Sequence, residues 1–575
     1  MKKLRLNKWL VIQSFFFAFL SLSFILPNGF MHCTTGICNL QIGQWHLHDS
    51  LWHISLAKLG FGSWPLQNPL MAGESLSSYN FLLDYILHLL SRLGISPFFS
   101  FFQLLPIIAA LLYIWSVLRF IKTRTSNLLK ANLLAFFLYF GSSFSYLATL
   151  YQDRTFFYSS LRGFPVVTSI QPATMFLNLQ FAFSLSVILW IIMLINRKDQ
   201  KRQSIILGIL FFVLFGLKFY GGVVALLFTS IFKLLEFVGK RLALRDFLTQ
   251  ALLIITGSFL GLLVFYGVSS GSSIPFSWAP LALTHLLIDD SLLFYNHSLT
   301  LARYHLYENA TSFSPRLWAI EAYSLGLFLL INFGTRILAG IYVASSIFKK
   351  KLSPFYQAIS FTILLTVLAP ILFVQNGGWY NTMQFLYYGA WLSGILLVEW
   401  LSDLAHSKWR GSWLIIFLII IFTIPNNLEQ LRFLTADQEI IGNEELEALS
   451  VLKEAPPGIV YVNNPVHRNA VIPALAEKYT YYLDTDQLMV LNSSYQPRLD
   501  VVNKYKGGSI TSVPADYYYI LSFEFVYRIP IPHRTTNSYN ITFAKIVNLV
   551  CYRSRTVHGE FENIFLSRRR GYSER

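Results

Sequence analysis

The sequence has few charged residues. Only 13% of its 575 residues are Asp, Glu, Lys or Arg, whereas 54% are hydrophobic. A water-soluble domain rarely has this balance, because its surface must be polar, so the composition is typical of an integral membrane protein. The three cysteines are also few, and without further Cys or His at fixed spacing they do not make a zinc site.

The common motifs of nucleotide and hydrolase sites are missing. The sequence has no Walker loop, no Gly-rich dinucleotide turn after a strand and no His-Glu-x-x-His. The net charge of +16 is not arranged as a basic stripe suited to nucleic acid. We therefore expect no soluble nucleotide site, no cofactor and no nucleic-acid partner.

Long apolar runs recur along the first three quarters of the chain. A helix needs roughly 20 apolar residues to cross the hydrocarbon core of a bilayer. By this measure the sequence predicts a polytopic α-helical membrane protein with about eleven transmembrane helices. The predicted spans lie near residues 9–27, 98–120, 131–150, 172–196, 203–217, 220–237, 246–268, 320–346, 355–374, 380–401 and 411–425. The two segments around 203–237 could instead be one long bent helix.

The placement of lysine and arginine predicts the orientation in the membrane. Basic residues cluster in the short segments at 2–8, 122–130, 197–202, 240–245, 349–351 and 408–410. Short basic loops face the cytoplasm, so we expect a multi-pass protein of the cell membrane with a cytoplasmic N-terminus. A turn at Pro27–Phe30 stands where a signal peptide would have a small-residue cleavage site, so the first apolar segment is interpreted as an uncleaved span.

The chain divides into a predicted transmembrane domain, residues 1–425, and an extracytoplasmic domain, residues 426–575. The first external loop, residues 28–97, carries two amphipathic helices near 49–59 and 80–93, which are expected to lie in the bilayer interface. Alternating strand and helix patterns in the tail predict a small C-terminal α/β domain. Its predicted elements are helices at 444–454 and 472–482 and strands at 459–462 and 517–521.

Two of the cysteines, Cys33 and Cys38, are close together in the first external loop. A disulfide that closes the small loop between them is plausible, because the outside of the membrane is an oxidising compartment. Two unpaired thiols are the alternative, and the sequence alone leaves both open.

A lone carboxylate, Asp49, stands just outside the first span among histidines and tryptophans. His46 and His48 precede it, and His53 follows one helical turn later, where it could share the same helix face. A carboxylate held at the membrane surface could act as a general base toward a hydroxyl or an amine. Asp49 could also cap a helix that begins at Ser50, and the two roles are compatible.

A second candidate is Lys218, which lies inside an apolar stretch near a break between two spans. Charges within membranes are unfavourable and usually face a cavity or a partner. The ammonium could bind a lipid phosphate as a point charge, or it could extend to the membrane surface.

A compact polar turn, residues 375–384, separates the ninth and tenth predicted spans. Its amides suit hydrogen bonds to sugar hydroxyls, and its aromatic rings suit stacking on a pyranose. The alternative is an ordinary interfacial belt of Trp and Tyr. The candidate sugar-binding residues are Gln375, Asn376, Trp379, Asn381 and Gln384.

The second external loop contributes Asp153, Arg154 and Arg162. Arginines outside a membrane can bind phosphate through two hydrogen bonds. Ordinary solvated loop positions are the alternative for all three residues.

This arrangement resembles the GT-C superfamily of integral membrane glycosyltransferases. The shared features are an acidic residue after the first span, a long first external loop with two interfacial helices, a many-span body and a C-terminal external domain. More closely, residues 49–57, 61–69 and 72–74 are similar to the opening of a group of bacterial and archaeal GT-C-like proteins. Residues 78–81 stand where that group has a Tyr-His-Tyr stretch.

The resemblance implies a function that composition does not. Asp49 would match the first-loop acid of the family and act as general base. The donor would be a polyprenyl-phosphate sugar from the outer leaflet, and the acceptor a glycan, lipid or protein. Lys218, with Arg154 or Arg162, would stabilise the departing lipid phosphate. The first loop has no Asp-x-Asp or Glu-x-Asp pair, so the metal dependence of some branches is not expected.

Two other classes of function fit a many-span chain. One is a transporter or lipid flippase, and the other is a non-catalytic membrane assembly protein. An enzyme predicts that Asp49, His53, Lys218 and the 375–384 turn converge at the outer surface. A transporter predicts a binding site at mid-membrane depth, and an assembly protein predicts no such convergence.

Overall fold

The structure is a computed structural model that is predominantly helical. It describes residues 7–34, 37–76, 79–154, 171–195, 200–267, 276–290, 293–309, 314–349, 352–376, 378–436, 438–463, 470–491, 493–523 and 547–553. The helices of its first half are α1 (Lys8–Ser23), α2 (Gln44–Leu59), α3 (Leu82–Arg92), α4 (Pro97–Phe99), α5 (Leu105–Arg124), α6 (Leu128–Phe140), α7 (Ser145–Asp153), α8 (Leu179–Leu194), α9 (Gln200–Leu217), α10 (Phe219–Val238) and α11 (Leu244–Tyr266).

The second half of the chain continues the helical bundle and then forms shorter helices and strands. Its helices are α12 (Leu286–Asp289), α13 (His297–Glu308), α14 (Pro315–Phe333), α15 (Ala339–Phe348), α16 (Pro354–Leu372), α17 (Met383–Ala405), α18 (Ser412–Ala436), α19 (Asn443–Glu454), α20 (Val471–Leu475), α21 (Thr485–Val490) and α22 (Gln496–Lys506). The strands are β1 (Phe30–Thr34), β2 (Ile37–Gly43), β3 (Phe276–Trp278), β4 (Phe373–Gln375), β5 (Gln438–Ile441), β6 (Ile459–Val462), β7 (Tyr479–Thr480), β8 (Tyr517–Phe523) and β9 (Val547–Arg553).

The protein is a multi-pass membrane protein by the length and hydropathy of its helices. Among the described residues, seven helical segments are long and apolar enough to cross a membrane. They are Pro97–Arg124, Phe219–Val238, Leu244–Tyr266, Pro315–Phe348, Pro354–Leu372, Trp379–Ala405 and Ser412–Arg432. The pair α6 and α7, bent by 55°, would be an eighth if it forms one span. The expected eleven spans are therefore not confirmed, although every predicted segment coincides with an apolar helix.

Three of the predicted spans form apolar helices of only 10–17 residues, and the first two of these are shorter than predicted. They are Lys8–Ser23, Leu179–Leu194 and Arg202–Leu217. For α8 the cause is local: Pro172 starts a 3₁₀ segment, Pro172–Leu177, and the regular helix begins only after Asn178. The Asn178 side chain accepts a hydrogen bond from the Phe181 amide at 3.0 Å, which caps the new helix.

The segment around 203–237 forms two helices instead of one bent helix. Lys218 has an extended backbone (φ −158°, ψ 113°), and this residue separates α9 from α10. The helices α9 and α11 then approach backbone to backbone at two glycines. A Cβ atom on Gly257 would lie 2.0 Å from the carbonyl oxygen of Gly208. Only glycine permits so short a distance, as is common between membrane helices.

The first external segment is joined to the chain that follows the last span. The strands β1 and β2 form an antiparallel hairpin, and the disulfide Cys33–Cys38 closes its tip. β2 also pairs antiparallel with β5, so a three-stranded sheet connects the segment after α1 to the segment after α18.

α2 begins at Gln44, with Gly43 as its N-cap, so the interpretation of Asp49 as a helix cap is wrong. Asp49 instead lies in the second turn of α2. Residues 51–57 are all buried, and the helix packs against α3 and α20. α2 is thus enclosed by protein, whereas α3 exposes Tyr85 and Leu89, as an interfacial helix would.

The residues after α18 build a mixed four-stranded sheet in the order β7-β6-β8-β9. β6 is parallel to β7 and β8, and β8 is antiparallel to β9. The helix expected at 472–482 ends early, at Leu475, because Glu477 takes a left-handed conformation (φ 54°) that breaks the helix. α18 continues to Ala436, past the predicted domain boundary at 425/426.

The close approach of α9 and α11 makes a testable prediction. We expect Gly257→Val to lower the free energy of unfolding by about 1–3 kcal/mol, because the added methyl groups force the two backbones apart. Gly326→Ala is the control, since a Cβ atom there meets nothing within 4 Å. That variant should be neutral or slightly stabilising. Thermal unfolding in detergent micelles measures both, and equal effects would contradict the packing argument.

Candidate functional site

Asp49 lies at the centre of a cluster of ionisable side chains. Its carboxylate is 46% exposed, so a substrate can reach it. Two histidines of the same helix, His48 and His53, and the buried Lys218 act on it electrostatically. The carboxylate is therefore surrounded by groups that can carry positive charge.

His48 lies between two carboxylates. Its Nδ1 is 3.4 Å from Oδ1 of Asp49, and its Nε2 is 2.9 Å from Oδ2 of Asp484. Burial alone would lower the pKa of His48, but its contacts with Asp484 and Asp49 raise the pKa to about 10. The imidazole is thus protonated at neutral pH and forms an ion pair with each carboxylate.

The pKa of Asp49 responds to the same charges. Desolvation by the surrounding protein would raise this pKa, but the contact with His48 outweighs it, and the pKa falls to about 2. The charges of His53 and Lys218 act in the same direction. Asp49 is consequently ionised throughout the physiological range.

His53 forms a second pair of histidine and aspartate beside Asp49. Its Nδ1 lies 2.6 Å from Oδ1 of Asp84, which α3 supplies and which is fully buried. Burial lowers the pKa of His53, but the charge of Asp84 outweighs this effect and raises the pKa. The Tyr79 hydroxyl is 3.5 Å from the same ring nitrogen. Asp49 is therefore flanked by two histidines, each of which contacts a carboxylate from another element.

Lys218 is the cationic partner that comes from the bundle. It is only 7% exposed, and its charge acts on Asp49 and on His53. Two glycines set its position. A Cβ atom on Gly221 would lie 2.8 Å from the Tyr388 hydroxyl, and one on Gly222 would lie 2.8 Å from Phe215. Their absent side chains let the first turn of α10 pack against the neighbouring helices.

The N-terminus of α10 adds to the positive potential at Lys218. The first amides of a helix point out of its N-terminus and carry a partial positive charge, which favours anions. Lys218 is the N-cap residue of this 20-residue helix. An ammonium and a helix N-terminus at one place form a suitable site for a phosphate group.

The 375–384 turn reaches the same region through two tyrosines. The Tyr220 hydroxyl, in the first turn of α10, donates a hydrogen bond to Oε1 of Gln375. Tyr380 interacts with the charges of Asp49 and Asp486. The turn also lies against α21, since a Cβ atom on Gly378 would come within 3.3 Å of Val490.

Within the turn, the other predicted sugar-binding residues differ in the contacts and the exposure of their side chains. Asn376 accepts a hydrogen bond from the Ser277 hydroxyl at 2.6 Å, which joins the turn to β3. Gln384 donates to Asn381 at 3.2 Å. Trp379 is 42% exposed, so its ring face is accessible.

Of the predicted residues of the second external loop, the structure describes the side chain of Arg154, and it does not join this cluster. The Arg154 guanidinium packs 5.7 Å from the centre of the Tyr151 ring, and among the described residues nothing connects it to Asp49 or Lys218. The side chain of Asp153 and all of Arg162 lie outside the described residues. The phosphate-binding role of Arg162 therefore stays a prediction.

Several residues of the cluster were not predicted as site residues from the sequence. Asp84 looked like one polar position on an amphipathic helix, and Tyr220 and Tyr380 looked like membrane aromatics. Asp484 carried no signal, because its partner His48 is far away in the sequence. Among the described residues, no group of three or more His, Cys, Asp or Glu side chains could hold a metal ion.

The fold has a counterpart among solved structures. The chain is similar to the crystal structure of the apo oligosaccharyltransferase of Archaeoglobus fulgidus, with a TM-score of 0.50 and 13% identity over 90% of this chain and 70% of that chain. The same enzyme tethered to an acceptor peptide with an NVT sequon matches with a TM-score of 0.44 and 12% identity, over 84% of this chain and 64% of that chain. No family model and no curated protein matches the sequence.

That oligosaccharyltransferase is a membrane glycosyltransferase of the GT-C superfamily. The chain therefore shares the fold of that oligosaccharyltransferase, as the resemblance drawn from the sequence implied.

The buried pair of His53 and Asp84 makes a prediction about stability. We expect Asp84→Ala to lower the free energy of unfolding by about 3–5 kcal/mol, because it leaves a buried histidine without its partner. Asp84→Asn should have a smaller effect, since its amide oxygen can still accept a hydrogen bond from neutral His53. Thermal unfolding of both variants measures this order, and an Asp84→Ala variant as stable as the wild type would contradict it.

Proposed function

We propose that this protein is a membrane glycosyltransferase that moves a sugar from a polyprenyl-phosphate donor to an acceptor outside the membrane, with Asp49 as its base. One observation carries the proposal. An exposed, ionised carboxylate lies within electrostatic reach of a buried ammonium at a helix N-terminus. This arrangement supplies a proton acceptor and an anion site together, inside a GT-C fold.

The reaction needs both of these groups. An acceptor hydroxyl or amine attacks the anomeric carbon of the donor sugar, and its new bond forms as the bond from that carbon to the phosphate oxygen breaks. The phosphate leaves with the bonding electrons, so negative charge grows on it. Lys218 and the N-terminus of α10 stabilise this charge. Asp49 takes the proton that the acceptor loses.

The low pKa of Asp49 decides when the proton moves. A carboxylate with a pKa of about 2 is a weak base toward a resting hydroxyl, although it accepts a hydrogen bond from it well. The attacking oxygen becomes positively charged as its new bond forms, and its proton then becomes strongly acidic. Proton transfer therefore accompanies bond formation and does not precede it.

The 375–384 turn is suited to hold the sugar. Gln375 is joined to the first turn of α10 through Tyr220, so amide side chains stand beside the proposed phosphate position. Trp379 offers an accessible ring, and Asn381 and Gln384 offer further amides. We assign sugar recognition to this turn and phosphate binding to Lys218.

The positions of the basic loops support a site on the outer side of the membrane. The basic segments at 122–130, 240–245 and 408–410 lie where α5 meets α6, α10 meets α11 and α17 meets α18, whereas the 375–384 turn lies at the other end of α17. A donor in the outer leaflet would extend its lipid into the bilayer and its phosphate toward α10. We therefore assign the reaction to the extracytoplasmic face of the cell membrane.

The role of Asp49 is tested by transfer in proteoliposomes from a radiolabelled polyprenyl-phosphate sugar. We expect Asp49→Asn to reduce transfer by about 10²–10⁴-fold, because the amide cannot take the acceptor's proton. Asp403→Asn, at an exposed position near the cytoplasmic end of α17, is the control and should keep full activity.

Two results would contradict the proposal in different ways. Full activity of Asp49→Asn would remove the assignment of the base but leave a glycosyltransferase. A wild-type protein that transfers no sugar from any of a panel of donors, but moves labelled lipid across the vesicle membrane, would favour a flippase.

The phosphate site makes a separate prediction. We expect Lys218→Gln to lower kcat/KM for the donor by about 10–100-fold, because a hydrogen bond to a charged group is lost where the phosphate carries most charge. Lys218→Arg should retain part of the activity. Lys240→Gln, at an exposed position after α10, is the matched control. Unchanged kinetics of Lys218→Gln would show that the phosphate binds elsewhere.

A further inference from the structure

The C-terminal sheet domain contributes one residue to the cluster around Asp49. Asp484 is the N-cap of α21 and is 4% exposed. Its Oδ1 accepts a hydrogen bond from the Gln487 amide at 3.1 Å. Its Oδ2 is the atom that lies 2.9 Å from Nε2 of His48. The helix cap therefore fixes the carboxylate, and the second oxygen remains for the histidine.

Contacts on both sides of α21, from β7 and α22, hold this part of the chain against the first external segment. The Ala72 amide donates to the Thr480 carbonyl at 2.8 Å, and the Thr480 amide donates to the Pro69 carbonyl at 3.1 Å. Arg498 donates to the Ala72 carbonyl at 2.7 Å. These hydrogen bonds restrict the movement of the segment that carries Asp484. The distance between Asp484 and His48 can therefore vary little.

We propose that Asp484 is a positioning residue for Asp49, acting through His48, so that the C-terminal domain completes the reactive site. The inference rests on the proposed function of Asp49. Asp484 does not touch the acceptor or the donor in this scheme. It holds the ring of His48, and the ring in turn holds one oxygen of Asp49, which leaves the other oxygen for the acceptor.

The arrangement needs a protonated His48. A neutral imidazole carries no charge, so neither Asp49 nor Asp484 would keep its ion pair with His48. Asp49 and Asp484 face His48 directly. The charges of Lys218 and His53 act on Asp49. Tyr380 interacts with the charges of Asp49 and Asp486.

The sign of the pH dependence follows from the raised pKa of His48. The interaction is fully present below the ordinary histidine pKa and is lost as the pH rises through about 10. Removal of the negative charge of Asp484 disfavours the imidazolium, so this loss must move to lower pH.

The experiment measures kcat and KM across pH for the full-length protein in proteoliposomes. We expect Asp484→Asn to lower kcat at neutral pH about ten-fold, as is usual when an outer partner of a reactive group is removed. KM for the donor should change little. The alkaline fall in kcat should move down by at least one pH unit, and Asp484→Glu should restore part of this shift.

A double-mutant cycle tests whether Asp484 acts through His48. If it does, Asp484→Asn adds no further loss in a His48→Gln background. Glu477→Gln is the matched control, because Glu477 forms an ion pair with Lys58 at 3.0 Å across the same interface. That variant should keep the wild-type pH profile. A thermal unfolding scan of each variant shows that it is folded.

The outcomes separate this inference from the function on which it rests. A wild-type pH profile in folded Asp484→Asn, or losses that multiply in the double variant, would overturn the positioning role while Asp49→Asn still abolished transfer. A wild-type protein that is inactive with every donor would overturn the function and the positioning role together.

Discussion

The cations around Asp49 lower the pKa of its carboxylate, and the rest of the site is arranged to hold these cations in place. His48, His53 and Lys218 supply the charge, and each comes with its own support. Asp484 and Asp84 face the two histidines, and the N-terminus of α10 carries the lysine. The low pKa of Asp49 thus depends on contributions from three separate parts of the chain.

This dependence explains why the first external segment is packed so closely. α2 is buried along residues 51–57 and lies between α3 and α20. If α2 lay free on the bilayer surface, it would place Asp49 correctly only part of the time. The contacts of α2 with α20 remove that freedom. The position of the Asp49 carboxylate therefore depends on this packing.

The sequence was informative where charge stands in an apolar context. Asp49, His53 and Lys218 could be singled out because such groups need a partner or a task, and the structure brings them together. The start of α2 could not be placed, because its first residues have no capping signal and Gly43 is the cap. Asp484 could not be predicted either, because no local sequence pattern pairs it with the distant His48. The predicted length of the span at 172–196 was wrong because a 3₁₀ segment that starts at Pro172 precedes the regular helix α8.

The sheet that joins β2 to β5 has a consequence for biosynthesis. The Cys38 amide donates to the Asn443 side chain across 405 positions of sequence, so the two halves of this contact are made at very different times. Chains are synthesised and inserted from the N-terminus. Asp49 is therefore synthesised before Asp484 and lacks this partner until the chain after α18 has been made. A nascent or truncated chain holds Asp49 without Asp484, so the cluster around this carboxylate is completed late in the assembly of the protein.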